Sequence, residues 1–345
     1  MSSTVEKNPE SESFFNSKIV IYAGIAWGVL SLGFFLLSII APATEDTFWY
    51  LIGTYVAEFV PFLAAVALCY RNWRSPKIMS GRTVWLGIGL GILSYFIADL
   101  IFGFWEIYWG LDPEISPADL FYMAFYICLG WGMILAVVSK RLNLEVWQWV
   151  TLSIIAVAGT ALAIWIALAE PAESATVLTE SRPEAREQIT ATQSQTEQQS
   201  TEPTQAPAVN TPESESESER TAPQWVLSLQ DYLLQFSTPV NFFYIICDVA
   251  LLIIAVTLLL AFWGGTFSLS WRMIAAAALA KYLADMWFKY AATLPSDYES
   301  GGFLEVFFVF SGILFAIGAA LEYDISSRPR RSRRRRTQRN SEVTT

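Results

Sequence analysis

Eight runs of about twenty residues nearly empty of charge dominate the chain: Ile19–Ala41, Phe48–Tyr70, Thr83–Trp105, Ala118–Val138, Trp147–Ala169, Val240–Phe262, Trp271–Ala291 and Phe303–Leu321. A helix rises about 1.5 Å per residue, so each run covers the roughly 30 Å of a bilayer's hydrocarbon. There the backbone must satisfy its own hydrogen bonds, which a helix does within one segment. The predicted fold class is all-α, a polytopic membrane protein with eight transmembrane helices. Composition agrees: 16% of residues are charged, where soluble domains carry about 25%.

Orientation follows from the short loops, because Lys and Arg stay on the cytoplasmic side. Arg71, Arg74, Lys77 and Arg82 follow the second run, Lys140 and Arg141 follow the fourth, and Arg272 opens the seventh. The alternate loops carry Glu45 and Asp46, then Glu106, Asp112 and Glu114, then Asp297 and Glu299. Both termini are therefore expected in the cytoplasm. The membrane is read as a bacterial plasma membrane, with the thylakoid as alternative.

Residues 1–18 are polar and lack a cleavable signal pattern, so a disordered cytoplasmic N-terminus is expected. Spans one to four occupy 19–138 and span five 147–169. Between spans five and six, residues 170–223 hold eleven Glu against three Arg and almost no aromatics. Such a segment buries too little apolar surface to offset its ordering entropy. It is predicted to be a disordered acidic tether outside the cytoplasm. Over 224–236, Trp225, Leu229, Tyr232, Leu233 and Phe236 share one helical face, the pattern of a helix lying in the membrane interface. A simple extension of span six is the alternative. Spans six to eight fill 240–321. The tail, 326–345, is a disordered, arginine-rich cytoplasmic segment. Its Arg328, Arg330, Arg331, Arg333, Arg334, Arg335 and Arg336 are expected to meet anionic lipid at about 1 kcal/mol per charge. Nucleic acid is not needed to explain them.

The spans look duplicated. Ile97-Ala98-Asp99 matches Leu283-Ala284-Asp285, Asp119-Leu120-Phe121-Tyr122 resembles Glu305-Val306-Phe307-Phe308, and Thr47-Phe48-Trp49-Tyr50 resembles Asn241-Phe242-Phe243-Tyr244. Two four-helix repeats follow. Four is even, so they run parallel, related by an axis along the membrane normal. Helix capping and the interfacial preference of aromatics account for much of the polar-aromatic openings.

Caps do not account for the remaining acids. Depth counted along the helices places Glu58, Asp99, Asp119, Asp248, Asp285 and Glu305 at mid-depth or in the outer half, with Lys281 one turn before Asp285. Intramembrane ionisable groups face a bundle interior and are functional by default. They are expected to line an outward-facing acidic, aromatic-walled cavity for a small ligand, a cation or a partner helix. The structural alternative makes Lys281–Asp285 an ion pair and bonds the other acids to Tyr95, Tyr126, Tyr244 or Tyr282. Gly87, Gly89 and Gly91 read as helix packing.

Much chemistry is excluded. The chain has no histidine, the commonest metal ligand and general base. Its three cysteines, Cys69, Cys128 and Cys247, keep no metal or disulfide spacing. A retinal Schiff base at Lys281 is ruled against by flanks unlike a rhodopsin's. No cofactor, no metal and no enzymatic activity are expected.

The stretch Trp105-Glu106, Gly110 and Ser116-Pro117-Ala118-Asp119-Leu120-Phe121-Tyr122 resembles a segment of the multi-span N-terminal modules of bacterial signalling proteins, which precede diguanylate cyclase or histidine kinase domains. The resemblance covers one helical hairpin and transfers only Pro117 and Asp119. It implies a stand-alone sensing module without a catalytic domain, whose output passes through a partner. The expected function is a membrane sensor or assembly scaffold with a membrane-protein partner or a second copy of itself. The alternative is a small-solute or ion transporter, proton-coupled.

Overall fold

The computed structural model describes residues 16–44, 47–111, 113–138, 145–168, 222–262, 268–291 and 301–327. The N-terminal segment before Asn16, the acidic tether up to Thr221 and the arginine tail from Arg328 lie outside the described residues. Within them the chain is helical, without strands. The helices are α1 Ser17–Ile40, α2 Phe48–Arg74, α3 Arg82–Trp109, α4 Asp119–Val138, α5 Val146–Leu168, α6 Gln224–Leu234, α7 Ser237–Ala261, α8 Ser268–Ala291 and α9 Val306–Ser327. Short 3₁₀ turns, Pro42–Thr44 and Phe303–Glu305, precede α2 and α9.

Seven of these helices are long and apolar enough to cross a membrane: α1 to α5, α7, and α9 with its leading turn. The protein is a multi-pass membrane protein on that ground. Helix α8 has the length, 24 residues, but carries Arg272, Lys281, Asp285 and Lys289, which separate it from the apolar set. All its alanines except Ala276 are buried: Ala275, Ala277, Ala278, Ala280, Ala284 and Ala291. They let neighbours approach closely, so the most charged helix sits among the most enclosed.

Packing contacts run from α2 to α3, α4, α7, α8, α9 and back to α2, closing a ring of six helices. Outside it, α1 lies chiefly on α9 and α5 on α7. Small residues set the tightest seams. Gly87 and Gly91 of α3 face α4, and Gly89 faces Cys69 of α2. Gly132 of α4 lies against Ile88 and Val84, and Gly318 of α9 against Ile274 and Ser270. Across the ring, the Trp85 and Trp271 rings lie 5.9 Å apart.

Two helix details explain local geometry. Gly110 ends α3 in the left-handed conformation, φ +63°, its N–H bonded to the Glu106 carbonyl; glycine takes this backbone without a Cβ penalty. Helix α6 is separate from α7: the chain leaves it at Gln235–Phe236 and restarts at Ser237. Val226 is its buried anchor, packed against Trp105, while Trp225 and Tyr232 are exposed.

Pro61 lies inside α2. Proline has no N–H, which orphans the carbonyl four residues earlier. That carbonyl, on Ala57, accepts instead from Trp27 Nε1 of α1 at 2.9 Å. An orphaned carbonyl is costly where water is absent. Trp27→Phe is expected to destabilise the protein by about 1–2 kcal/mol. In a Pro61→Ala background, where the substituted alanine restores the backbone donor, the same change should cost much less. Unfolding midpoints of the four proteins of this cycle check it; equal costs in both backgrounds would exclude this account.

Candidate functional site: a buried network of acids, tyrosines and lysines

Five helices of the ring, α2, α3, α4, α7 and α8, aim ionisable side chains at one another. Asp99 of α3 is 5% exposed, Asp248 of α7 1% and Lys281 of α8 4%. They point into the bundle rather than at lipid. Around them the network divides into two halves that differ in charge balance.

In one half every carboxylate has an ammonium. Lys281 Nζ pairs with Asp285 Oδ1, and Lys289 Nζ with Asp248 Oδ2. Tyr126 of α4 joins the two acids: its hydroxyl lies 2.6 Å from Asp248 Oδ1 and 3.1 Å from Asp285 Oδ2. A phenol has one proton to give, so it serves the nearer oxygen chiefly. Lys281 Nζ also sits 4.6 Å from the Tyr95 ring centroid, 4.7 Å from Phe308 and 5.5 Å from Phe125. Aromatic faces carry negative charge density, so these rings attract the ammonium.

In the other half the acids are hydrogen-bonded only by phenols, with Lys281 acting on both at longer range. Tyr95 donates to Glu58 Oε1 at 2.8 Å and Tyr122 to Asp99 Oδ1 at 2.7 Å. The two tyrosine rings lie 5.5 Å apart, and the two acids are close enough for their charges to repel each other. Asp99 Oδ2 is buried and has no hydrogen-bond partner among the described residues. Neither Glu58 nor Asp99 has a salt bridge to a described Lys or Arg. Nearby, Tyr55 of α2 donates to Glu106 of α3.

The remaining expected residues lie nearer the helix mouths. Asp119 opens α4, where Oδ2 accepts from the Ser116 N–H at 2.7 Å and Ser116 Oγ accepts from Ala118 N–H at 3.2 Å. The first bond is the carboxylate half of a capping box, while the serine hydroxyl serves the second helical N–H rather than the third. Its other oxygen accepts from Tyr244 at 2.5 Å, and the Tyr244 ring lies 5.7 Å from Tyr126 and 5.7 Å from Lys289 Nζ. Asp119 is therefore both cap and outer member of the network. Glu305 turns back on its own loop, its Oε2 accepting from Gly301 N–H at 3.0 Å.

The contacts named by the structural alternative are present at Lys281–Asp285 and at Tyr95, Tyr126 and Tyr244. Tyr282 makes none with an acid; its hydroxyl donates to the Gly159 carbonyl of α5 at 3.0 Å. Sequence reasoning missed Tyr122 and Lys289; Lys289 follows Asp285 by the four residues that separate Lys281 from Asp285, a spacing that could have found it. It also missed Glu322, 1% exposed, whose Oε1 accepts from Ser80 Oγ at 2.7 Å. Ser80 in turn accepts from Trp85 Nε1 at 2.8 Å.

No group of three or more His, Cys, Asp or Glu among the described residues is placed to hold a metal ion. No protein-family model matches the chain, nor does any curated protein or solved structure.

Proposed function

We propose that the protein is a membrane sensor or assembly scaffold that binds a small ligand in its buried network of acids and tyrosines and passes the signal to a membrane-protein partner or a second copy. One observation carries this reading: Asp99 is buried with one oxygen unbonded among the described residues, near Glu58, in a network whose two ammonium groups are bonded to other acids. Uncompensated charge in such a place is costly unless the acid takes up a proton or something that binds there offsets it.

The frame of the proposal is an eight-span protein, α8 included, with both termini in the cytoplasm of a bacterial plasma membrane and two parallel four-helix copies. The loop charges support that orientation. The copies are supported by equivalent contacts. Gly132 meets Val84 and Ile88 as Gly318 meets Ser270 and Ile274. Trp85 also meets Trp271, and Tyr95 meets Lys281. Every residue stands at one constant interval from its counterpart. Counterparts that touch each other are what a two-fold axis between α3 and α8 produces. The arginine tail fits the same frame as an anchor on anionic cytoplasmic lipid.

A transporter of parallel repeats is the second reading, favoured by charges gathered where the copies meet. Continuity of the helices weighs against it. Even at Pro61 the freed carbonyl is satisfied and α2 runs on, whereas transporter sites favour broken helices. The test compares wild type with Asp99→Asn in two assays, crosslinking-assisted co-purification from native membranes and ion or solute flux in proteoliposomes. The sensor reading expects the partner to be lost and no flux from either protein. Flux that Asp99→Asn abolishes would establish the transporter instead.

A further inference from the structure

We propose that the Glu58–Asp99 half of the network binds a primary ammonium group, carried by a small alkylamine or by an aminophospholipid headgroup. The proposal rests on the ligand-binding reading above and narrows it.

The two halves differ in one component. Asp285 receives an ammonium from its own chain: Lys281, one turn earlier, reaches Oδ1 while aromatic rings enclose its Nζ. Asp248 receives Lys289. Asp99 stands in α3 where Asp285 stands in α8, but the residue one turn earlier is Tyr95, a neutral phenol already donating to Glu58. Tyr122 satisfies one oxygen of Asp99 and leaves Oδ2 buried without a partner among the described residues. The first half therefore has the acid, the phenols and the aromatic faces of the second, and lacks an ammonium bonded to it; Lys281 acts on Glu58 and Asp99 only at longer range.

A primary ammonium supplies what is missing. It carries three N–H donors, enough for Asp99 Oδ2 and Glu58 together, and its charge suits the tyrosine faces beside them. A bare divalent ion would ask for six or more oxygen ligands, and no cluster of that kind is placed among the described residues. A quaternary ammonium has no N–H to give the open oxygen.

The test uses the full chain in phosphatidylcholine nanodiscs, followed by thermal unfolding at fixed pH and ionic strength. Ethylammonium chloride is expected to raise the midpoint by about 3 °C at saturation. Tetramethylammonium and sodium chloride are expected to leave it unchanged. Asp99→Asn, which keeps an acceptor for Tyr122, should abolish the rise, as should Glu58→Gln. Asp231→Asn, on the exposed face of α6, should retain it. A rise given by phosphatidylethanolamine discs without added amine would assign the lipid headgroup as the source. An equal rise in Asp99→Asn, an equal rise with sodium or tetramethylammonium, or no rise at all would overturn the proposal. If the amine response is absent while Asp99→Asn still loses its partner, the sensor reading stands and the ammonium assignment alone falls.

Discussion

Asp285→Asn is expected to lower the unfolding free energy by about 3–5 kcal/mol, the cost of leaving a buried charge without its partner. The substitution keeps the size of the side chain and an acceptor for Tyr126, so the loss reports on charge. Lys281 then keeps the rings of Tyr95, Phe125 and Phe308 and the longer-range attraction of Glu58 and Asp99, and cation–π attraction worth about 0.5–2 kcal/mol offsets part of the loss. Removing both charges, as in Lys281→Met with Asp285→Leu, is expected to restore stability to near wild type, because a buried pair and a well-packed apolar pair are close in free energy. Asp99→Asn should act in the opposite direction and raise the midpoint, since its buried carboxylate has no ammonium bonded to it and only the longer-range attraction of Lys281 to lose. Chemical denaturation in one detergent, all four proteins side by side, reads these signs. A large loss in Asp99→Asn would show that Asp99 has a cationic partner and remove the distinction between the two halves.

That distinction was only partly legible in the sequence. Long apolar runs announce spanning helices because hydrocarbon tolerates little else, and α1 to α5 begin within two residues of the expected positions. The acids were legible for the same reason: Asp99, Asp248 and Asp285 interrupt runs that otherwise exclude charge. Which face of each helix turns inward was not legible. In a soluble protein the outer face is polar and betrays the inner one; here the lipid-facing and core-facing sides are both apolar. Tyr122 looked like one more interfacial aromatic at the start of α4, and only packing shows that it serves Asp99. Glu322 misled in another way. A carboxylate after Leu321 reads as the end of a span, yet α9 runs on to Ser327 and buries it against Ser80. The glycines were the better guide, since Gly87, Gly89 and Gly91 each mark a close approach of α3 to a neighbour.

Glycine spacing also sets up the sharpest test of the packing. A methyl group at Gly132 would lie 2.7 Å from the Ile88 backbone nitrogen and 3.0 Å from the Val84 carbonyl oxygen. Neither atom can move without shifting α3, so Gly132→Ala is expected to cost about 2–3 kcal/mol. Gly130, two residues earlier on the same helix, has no atom within 4 Å of the corresponding position. There alanine meets nothing and improves helix propensity, so Gly130→Ala should stabilise by up to about 1 kcal/mol. Gly318→Ala belongs between them. Its nearest neighbours are the tip of Ile274, at 2.7 Å, and the Ser270 carbonyl oxygen at 3.2 Å; a side-chain tip can rotate away where a backbone cannot. The order of cost, Gly132 above Gly318 above Gly130, follows from whether backbone or side chain must yield. Substitutions at Gly132 and Gly318 lie in different helix pairs and should add in a double variant. Unfolding midpoints for the three single variants and the double test the whole series. A neutral Gly132→Ala would mean that α3 and α4 are not held this close, and with them the seam that aligns Asp99 with Tyr122.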